Sequence, residues 1–163
     1  MASLFRGQDE IAQKIAERVA AAANPPTSVE GPFNYVYGEN VRPGPVRPPD
    51  KDQTQPGAIP HRCVFVQPIP APPTTAYIGG RAANSEPSDW RGNYPDSFQI
   101  LCRARPDEED TAFNMADAAY RGIDKTTTAG YFAITAETRP QRLMRDAQGA
   151  AEYVFNVTAI RCQ

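Results

Sequence analysis

The sequence predicts an α+β fold: a mixed, mostly antiparallel sheet of four to five strands, two helices packed on one of its faces, and a long proline-rich arm. Three observations carry that reading. Apolar runs at 98–104, 131–136 and 152–160 have the β-branched and aromatic content of strands. Between the first two lies a helical period, Phe113, Ala116, Tyr120 and Ile123, and such a stripe needs a sheet to bury it. Of the 17 prolines, 13 fall between Pro25 and Pro73, so regular structure concentrates in the back half. With 163 residues the chain predicts one domain, 1–163, with a single core.

Residues 3–23 open the chain as an amphipathic helix. Ser3 is its candidate cap, Ile11, Ile15 and Val19 form its stripe, and Glu10 stands four residues before Lys14, the favourable order for a helical ion pair. Pro25 and Pro26 end it, because proline neither donates an amide nor leaves its predecessor helical. Residues 33–37 read as a short strand. The stretch 38–60 combines Pro43, Pro45, Pro48, Pro49 and Pro56 with Asp50, Lys51, Asp52 and Gln53. It lacks a periodic apolar set, so it is expected as an extended arm that serves a partner and not the core of the monomer.

Strands follow at 62–67 and 75–78, and then a long polar loop at 79–97. The second helix begins near Pro106 or Asp107, where proline fits the first turn and Asp107, Glu108, Glu109 and Asp110 suit the positive end of the helix dipole. It is expected to pack through Phe113, Ala116, Tyr120 and Ile123. Two closing strands, joined through Arg139, Pro140 and Gly149, tie the carboxyl end into the sheet.

The composition excludes several classes. A net charge of −2 with no basic stripe argues against a nucleic-acid binder. No apolar run approaches a membrane span, and the first residues lack a signal peptide's apolar stretch, so the product is expected to stay in the cytoplasm where it is made. The three cysteines, Cys63, Cys102 and Cys162, form no C-x-x-C pair. They are expected as reduced thiols on strands, with a Cys102–Cys162 bridge as the alternative.

No catalytic or metal-binding set is legible. His61 and Cys63 alternate along a strand, but His61 is the sole histidine and zinc sites call for four ligands. The acidic run 107–110 reads as a solvated helix start. Gly79-Gly80-Arg81 lacks the G-K-[S/T] of a phosphate loop. Asn156-Val157-Thr158 matches a glycosylation acceptor, yet it sits inside a strand. Trp90, Arg91 and Tyr94 are the residue types that dominate the energetic centres of interfaces, and they are the candidate contact cluster, together with Arg142 and Arg145 near the closing turn.

The order of elements resembles the tail terminator (tail completion) proteins of long-tailed bacteriophages. The likeness rests on the first helix, the strand–helix–strand–strand order from Phe98 onward, and the closing segment with Arg139, Pro140, Arg145, Asp146, Gly149 and then Tyr153-Val-Phe-Asn-Val157. The resemblance implies a virion structural protein without catalytic residues or cofactor. It implies a homo-oligomeric ring, six-membered, that caps the tail tube, ends its polymerisation and meets the head connector. Genomic DNA would pass through a neutral to acidic lumen without specific binding. The unpaired sheet edges are expected to be where neighbouring copies meet. The alternatives are another neck or head–tail adaptor protein and, in a different class, a small metal-dependent hydrolase using His61.

Overall fold

The computed structural model describes residues 4–20, 27–28, 31–32, 35–70, 75–76, 92–143 and 149–162. Its elements, in order, are α1 (Leu4–Ala20), β1 (Thr27–Ser28), β2 (Gly31–Pro32), β3 (Val41–Pro43), β4 (Cys63–Ile69), β5 (Thr75–Ala76), β6 (Gly92–Ala104), α2 (Glu109–Ile123), β7 (Ala133–Ala136), β8 (Gln141–Arg142) and β9 (Ala151–Cys162). The main sheet runs β3-β4-β6-β9-β7, with β5 added on β6 and β8 on β9. The β3–β4 pair is parallel and all the others are antiparallel. The α+β class and the mixed sheet are therefore as the sequence predicts.

Both helices cover one face. Side chains alternate along each strand, so Val64 and Val66 of β4, Phe98, Ile100 and Cys102 of β6, and Phe155, Val157 and Ala159 of β9 all point to the same side. There they meet Ile11, Ile15 and Val19 of α1 and Met115, Ala116, Ala119 and Ile123 of α2 in one buried cluster. The α1 stripe is the one its sequence predicts. Gly7 lets α1 come close: a Cβ there would collide with the hydroxyl of Tyr131 and stand 2.9 Å from the Phe98 ring. Glycine costs a helix interior about 1 kcal/mol against alanine, and close approach of helix to core is what the chain obtains for it.

Glu10 turns toward Arg6, whose Nε lies 3.3 Å away, and Lys14 pairs with Glu17 at 3.8 Å. Glu10 Oε2 also accepts from Thr128 Oγ1 at 2.8 Å and from the Gly130 amide at 2.9 Å. The expected Glu10–Lys14 pair thus gives way to a tertiary contact that ties α1 to the approach to β7.

The second helix presents a different stripe from the one expected. Its buried positions are Thr111, Ala112, Met115, Ala116, Ala119 and Ile123, whereas Phe113 is 43% exposed and Tyr120 only partly buried. The small residues win the inner face because α2 packs against both α1 and the sheet, and close approach favours alanine over a ring.

Residues 38–60 differ from the extended arm foreseen for them. Val41 is fully buried and β3 pairs with β4. Beyond it the chain folds back on itself. The Ile59 amide donates to Asp50 Oδ2 at 2.7 Å, the Asp50 amide to the Ile59 carbonyl at 3.0 Å, and the Arg42 guanidinium to the carbonyls of Gly57 and Ala58. Gly57 takes φ of +75° in the turn, a conformation that side chains disfavour. The loop seats Ile59 against Cys63, Phe65 and Leu101 on the far face of the sheet, with Val46 and Leu143 beside them. Six prolines and several polar groups hid this, because the ordering comes from backbone and side-chain hydrogen bonds and not from a periodic stripe.

Three smaller expectations change as well. Of the strand expected at 33–37, residues 33–34 fall outside the described residues and 35–37 form no strand, Tyr37 making an isolated bridge with Val41; the first strand of the main sheet is Val41–Pro43. Residues 92–97 of the expected loop belong to β6, which pairs with β9 from Asn93↔Cys162 to Ala104↔Ala151. Pro95 is accepted inside that strand between Ser97, the last residue opposite β4, and Asn93, the first opposite β5. The Cys102–Cys162 bridge is precluded by register. Cys102 faces Tyr153 and Cys162 faces Asn93, nine positions apart, or roughly 30 Å along the strand. Cys63 and Cys102 are free and buried, on opposite faces, and burial pushes the Cys63 thiol up to about 12.

Candidate assembly surfaces

At β3 and at β7, outward backbone groups of the main sheet are taken up by the chain itself. At the β3 edge, the Val41 amide donates to the Val36 carbonyl at 3.2 Å, and the Val41 carbonyl accepts from Gly38 at 2.9 Å. The next outward position on that edge is Pro43, which has no amide to offer. At the opposite edge, the Ile134 amide donates to the Thr126 carbonyl at 2.9 Å, and the Ala136 amide to Asp124 Oδ1 at 2.9 Å. The turn after α2 supplies both acceptors. It is itself held by Thr126 Oγ1 donating to the Ile123 carbonyl at 2.7 Å, with Lys125 at φ +58°. The edges expected to lie open are therefore partly covered at β3 and β7, and natural sheets use such covers to prevent pairing with another chain.

Asp124→Ala is expected to speed hydrogen exchange at the Ala136 amide by about tenfold, the equivalent of one lost hydrogen bond of ~1.4 kcal/mol. Asp124→Asn, which keeps an acceptor oxygen, should stay near the wild-type rate. An Ala136 rate that is unchanged in Asp124→Ala would show that the carboxylate does not cap this edge.

The 36–40 turn leads into the β3 edge and presents Val36, 40% exposed, and Tyr37, 38% exposed. Asn40 Oδ1 rigidifies it by accepting from the Val36 amide at 2.7 Å, and the Tyr37 hydroxyl donates to Asp9 Oδ1 at 2.9 Å. Beside it a groove is lined by Tyr37, Arg42, Pro43, Pro45, Arg47 and Phe65. At the other end of the molecule, Phe113, Tyr120 and Pro140 line a groove with Asp117, Arg121 and Arg139. Phe113 leans edge-on against Tyr153 at 5.4 Å, and Tyr120 against Phe155 at 5.7 Å.

Of the residues that the sequence marks as contacts, Arg142 is exposed on β8, where its Nε lies 3.0 Å from Glu109 Oε1. The Tyr153 hydroxyl donates to that same oxygen at 3.3 Å. Tyr94 occupies β6 opposite Arg161. Trp90, Arg91 and Arg145 lie outside the described residues. Val36, Tyr37 and the Phe113 groove escape a reading by pattern, because each apolar residue there also fits a buried strand or helix stripe.

Elsewhere the polar groups serve the fold. The Tyr131 hydroxyl donates to Asp96 Oδ2 at 2.8 Å, with Arg161 Nε 3.3 Å from the same oxygen. Burial and Asp96 raise the tyrosine pKa. Arg62 binds Glu108 through two guanidinium nitrogens, and this pair is largely buried. The reading of 107–110 as a solvated run thus fails at Glu108. On the far face Arg103 stacks over Phe65 at 5.1 Å and Gln67 Nε2 donates to Gln99 Oε1 at 2.8 Å. His61 is exposed while Cys63 is buried, so the two do not share an accessible site. Among the described residues no three His, Cys, Asp or Glu side chains lie close enough to hold a metal ion. No described helix is long and apolar enough to cross a membrane.

A two-layer α+β subunit with guarded sheet edges and apolar side chains exposed at its two ends is built like a component of an assembly. The model of the family "Bacteriophage tail terminator protein" matches residues 44–161, well over half of the sequence. The chain belongs to that family and is a phage tail structural protein of the virion. Among solved structures, a chain of the "Virion of native gene transfer agent (GTA) particle" is similar at a TM-score of 0.48 and 13% identity, over 96% of this chain and 94% of that one. No curated protein matches.

Proposed function

We propose that this protein caps the end of the phage tail tube as a closed ring of six copies, ends tube polymerisation and joins the tail to the head connector. Membership of the tail terminator family is the observation that carries the reading. The guarded edges support it physically. Covered amides at β3 and β7 disfavour continuous sheet growth along those strands and favour contacts made through side chains. The protein works by association and not by catalysis, needs no cofactor, and is made in the host cytoplasm before joining the virion neck. Its partners are further copies of itself, the tube protein and a connector or adaptor. Genomic DNA passes through the lumen without specific binding, in keeping with a net charge of −2. Trp90, Arg91, Tyr94, Arg142 and Arg145 are proposed among the residues that meet those partners.

Imaging of the assembled neck tests this. A single ring of six copies between tube and connector is the expected result. A different stoichiometry, or absence of the chain from the tail–head junction, would overturn it.

A further inference from the structure

We infer that neighbouring copies in the ring join head to tail, the 36–40 turn of one copy seated in the Phe113–Tyr120–Pro140 groove of the next. The inference rests on the ring reading above and specifies its joint. Among the described residues four large apolar side chains are exposed: Val36, Tyr37, Phe113 and Phe132. Two of them share the turn at the β3 edge and a third lines the groove on the far side of α2. These two sites flank opposite ends of the strand order β3-β4-β6-β9-β7. A contact between two different surfaces at opposite ends repeats from copy to copy and closes into a ring when the rotation allows.

Charge agrees with that pairing at Glu39 and Arg139, although Arg42 and Arg47 line the groove beside the turn. The turn carries Glu39, exposed, and rests on Asp9 through the Tyr37 hydroxyl. The groove carries Arg121 and Arg139 against one acid, Asp117, which Arg121 already holds at 2.9 Å. Arg139 is exposed and has no ion-pair partner among the described residues. A turn with an aromatic tip and an acid therefore faces a groove with two rings, a proline and a spare guanidinium. Tyrosine and arginine are the residues that most often anchor interfaces. Because outward backbone groups at β3 and β7 are already bonded, side chains make this joint.

Charge exchange tests the joint on the purified full chain and on assembled tails. Glu39→Arg and Arg139→Glu, each alone, should weaken self-association by about tenfold or more, since like charges then meet. Both substitutions in one chain should restore it. A Glu39→Cys chain mixed with an Arg139→Cys chain should cross-link between copies with a short bismaleimide. Both positions are exposed, so folding should survive; Glu39→Gln and Arg139→Gln serve as milder variants if it does not, each weakening association without reversal. Wild-type rings with unaffected charge variants and no 39–139 cross-link would overturn this joint while the ring reading stands. A protein that is monomeric both in solution and on purified tails would overturn the ring reading and the joint with it.

Discussion

Phe98→Ala is expected to lower the unfolding free energy by about 3–5 kcal/mol, whereas Phe113→Ala should cost only about 0.5–1.5 kcal/mol. Phe98 is fully buried at the centre of the sheet, beneath α1 and edge-on to Tyr131 at 6.2 Å. Removing the ring deletes its transfer energy and leaves a cavity that strands on both sides prevent from collapsing. Phe113 has 43% of its surface in water already and loses chiefly its contact with Tyr153. Urea unfolding at constant m-value measures both. Equal losses would mean that the Phe113 ring is covered in solution. The contrast also separates fold from assembly, because Phe113→Ala should weaken association far more than it weakens the monomer.

The second large effect concerns Glu108. Its side chain is 10% exposed and that of Arg62 15%. The Arg62 hydrogen bonds hold the Glu108 carboxyl below the usual glutamate range, against the opposing effect of burial. Glu108→Gln leaves a largely buried guanidinium without its carboxylate and should destabilise by about 3 kcal/mol at neutral pH, the lower end for a broken buried pair because Arg62 keeps some solvent. The sign with pH follows from linkage. A carboxyl whose folded pKa is depressed contributes its full stabilisation above the ordinary glutamate pKa and loses it as pH falls through the folded value. The gap between wild type and Glu108→Gln should therefore be widest at neutral pH and shrink in acid. A gap that does not change between neutral pH and the acid limb would show that the pair contributes through shape and not charge.

Much of the architecture was legible in the sequence because burial on one side of a helix or a strand leaves a period. The stripe Ile11, Ile15 and Val19, the strand runs at 98–104 and 152–160, and the helix between them all follow from spacing alone. So does the class, since helices with one apolar face and strands in the order found here leave few arrangements other than helices on one side of a mixed sheet. The order of those elements was also enough to suggest the tail terminator family, which the match over 44–161 bears out.

The tertiary structure decided which of two overlapping stripes α2 buries. Phe113, Ala116, Tyr120 and Ile123 compete with Ala112, Met115, Ala116, Ala119 and Ile123, and period cannot choose between sets one residue apart. Closeness of approach chose the smaller side chains. Long-range hydrogen bonds and ion pairs were equally hidden, since Asp124 with Ala136, Glu10 with Gly130 and Arg62 with Glu108 carry no local signature. The 38–60 segment shows the same limit. Its prolines announce that it is neither helix nor central strand, yet the contacts that fold it onto Cys63 and Phe65 exist only once the sheet is formed. Local sequence thus determined the elements, because backbone and periodic burial act over a few residues. The pairing of surfaces, and with it the guarded edges and exposed ends, was decided by contacts between residues far apart in the chain.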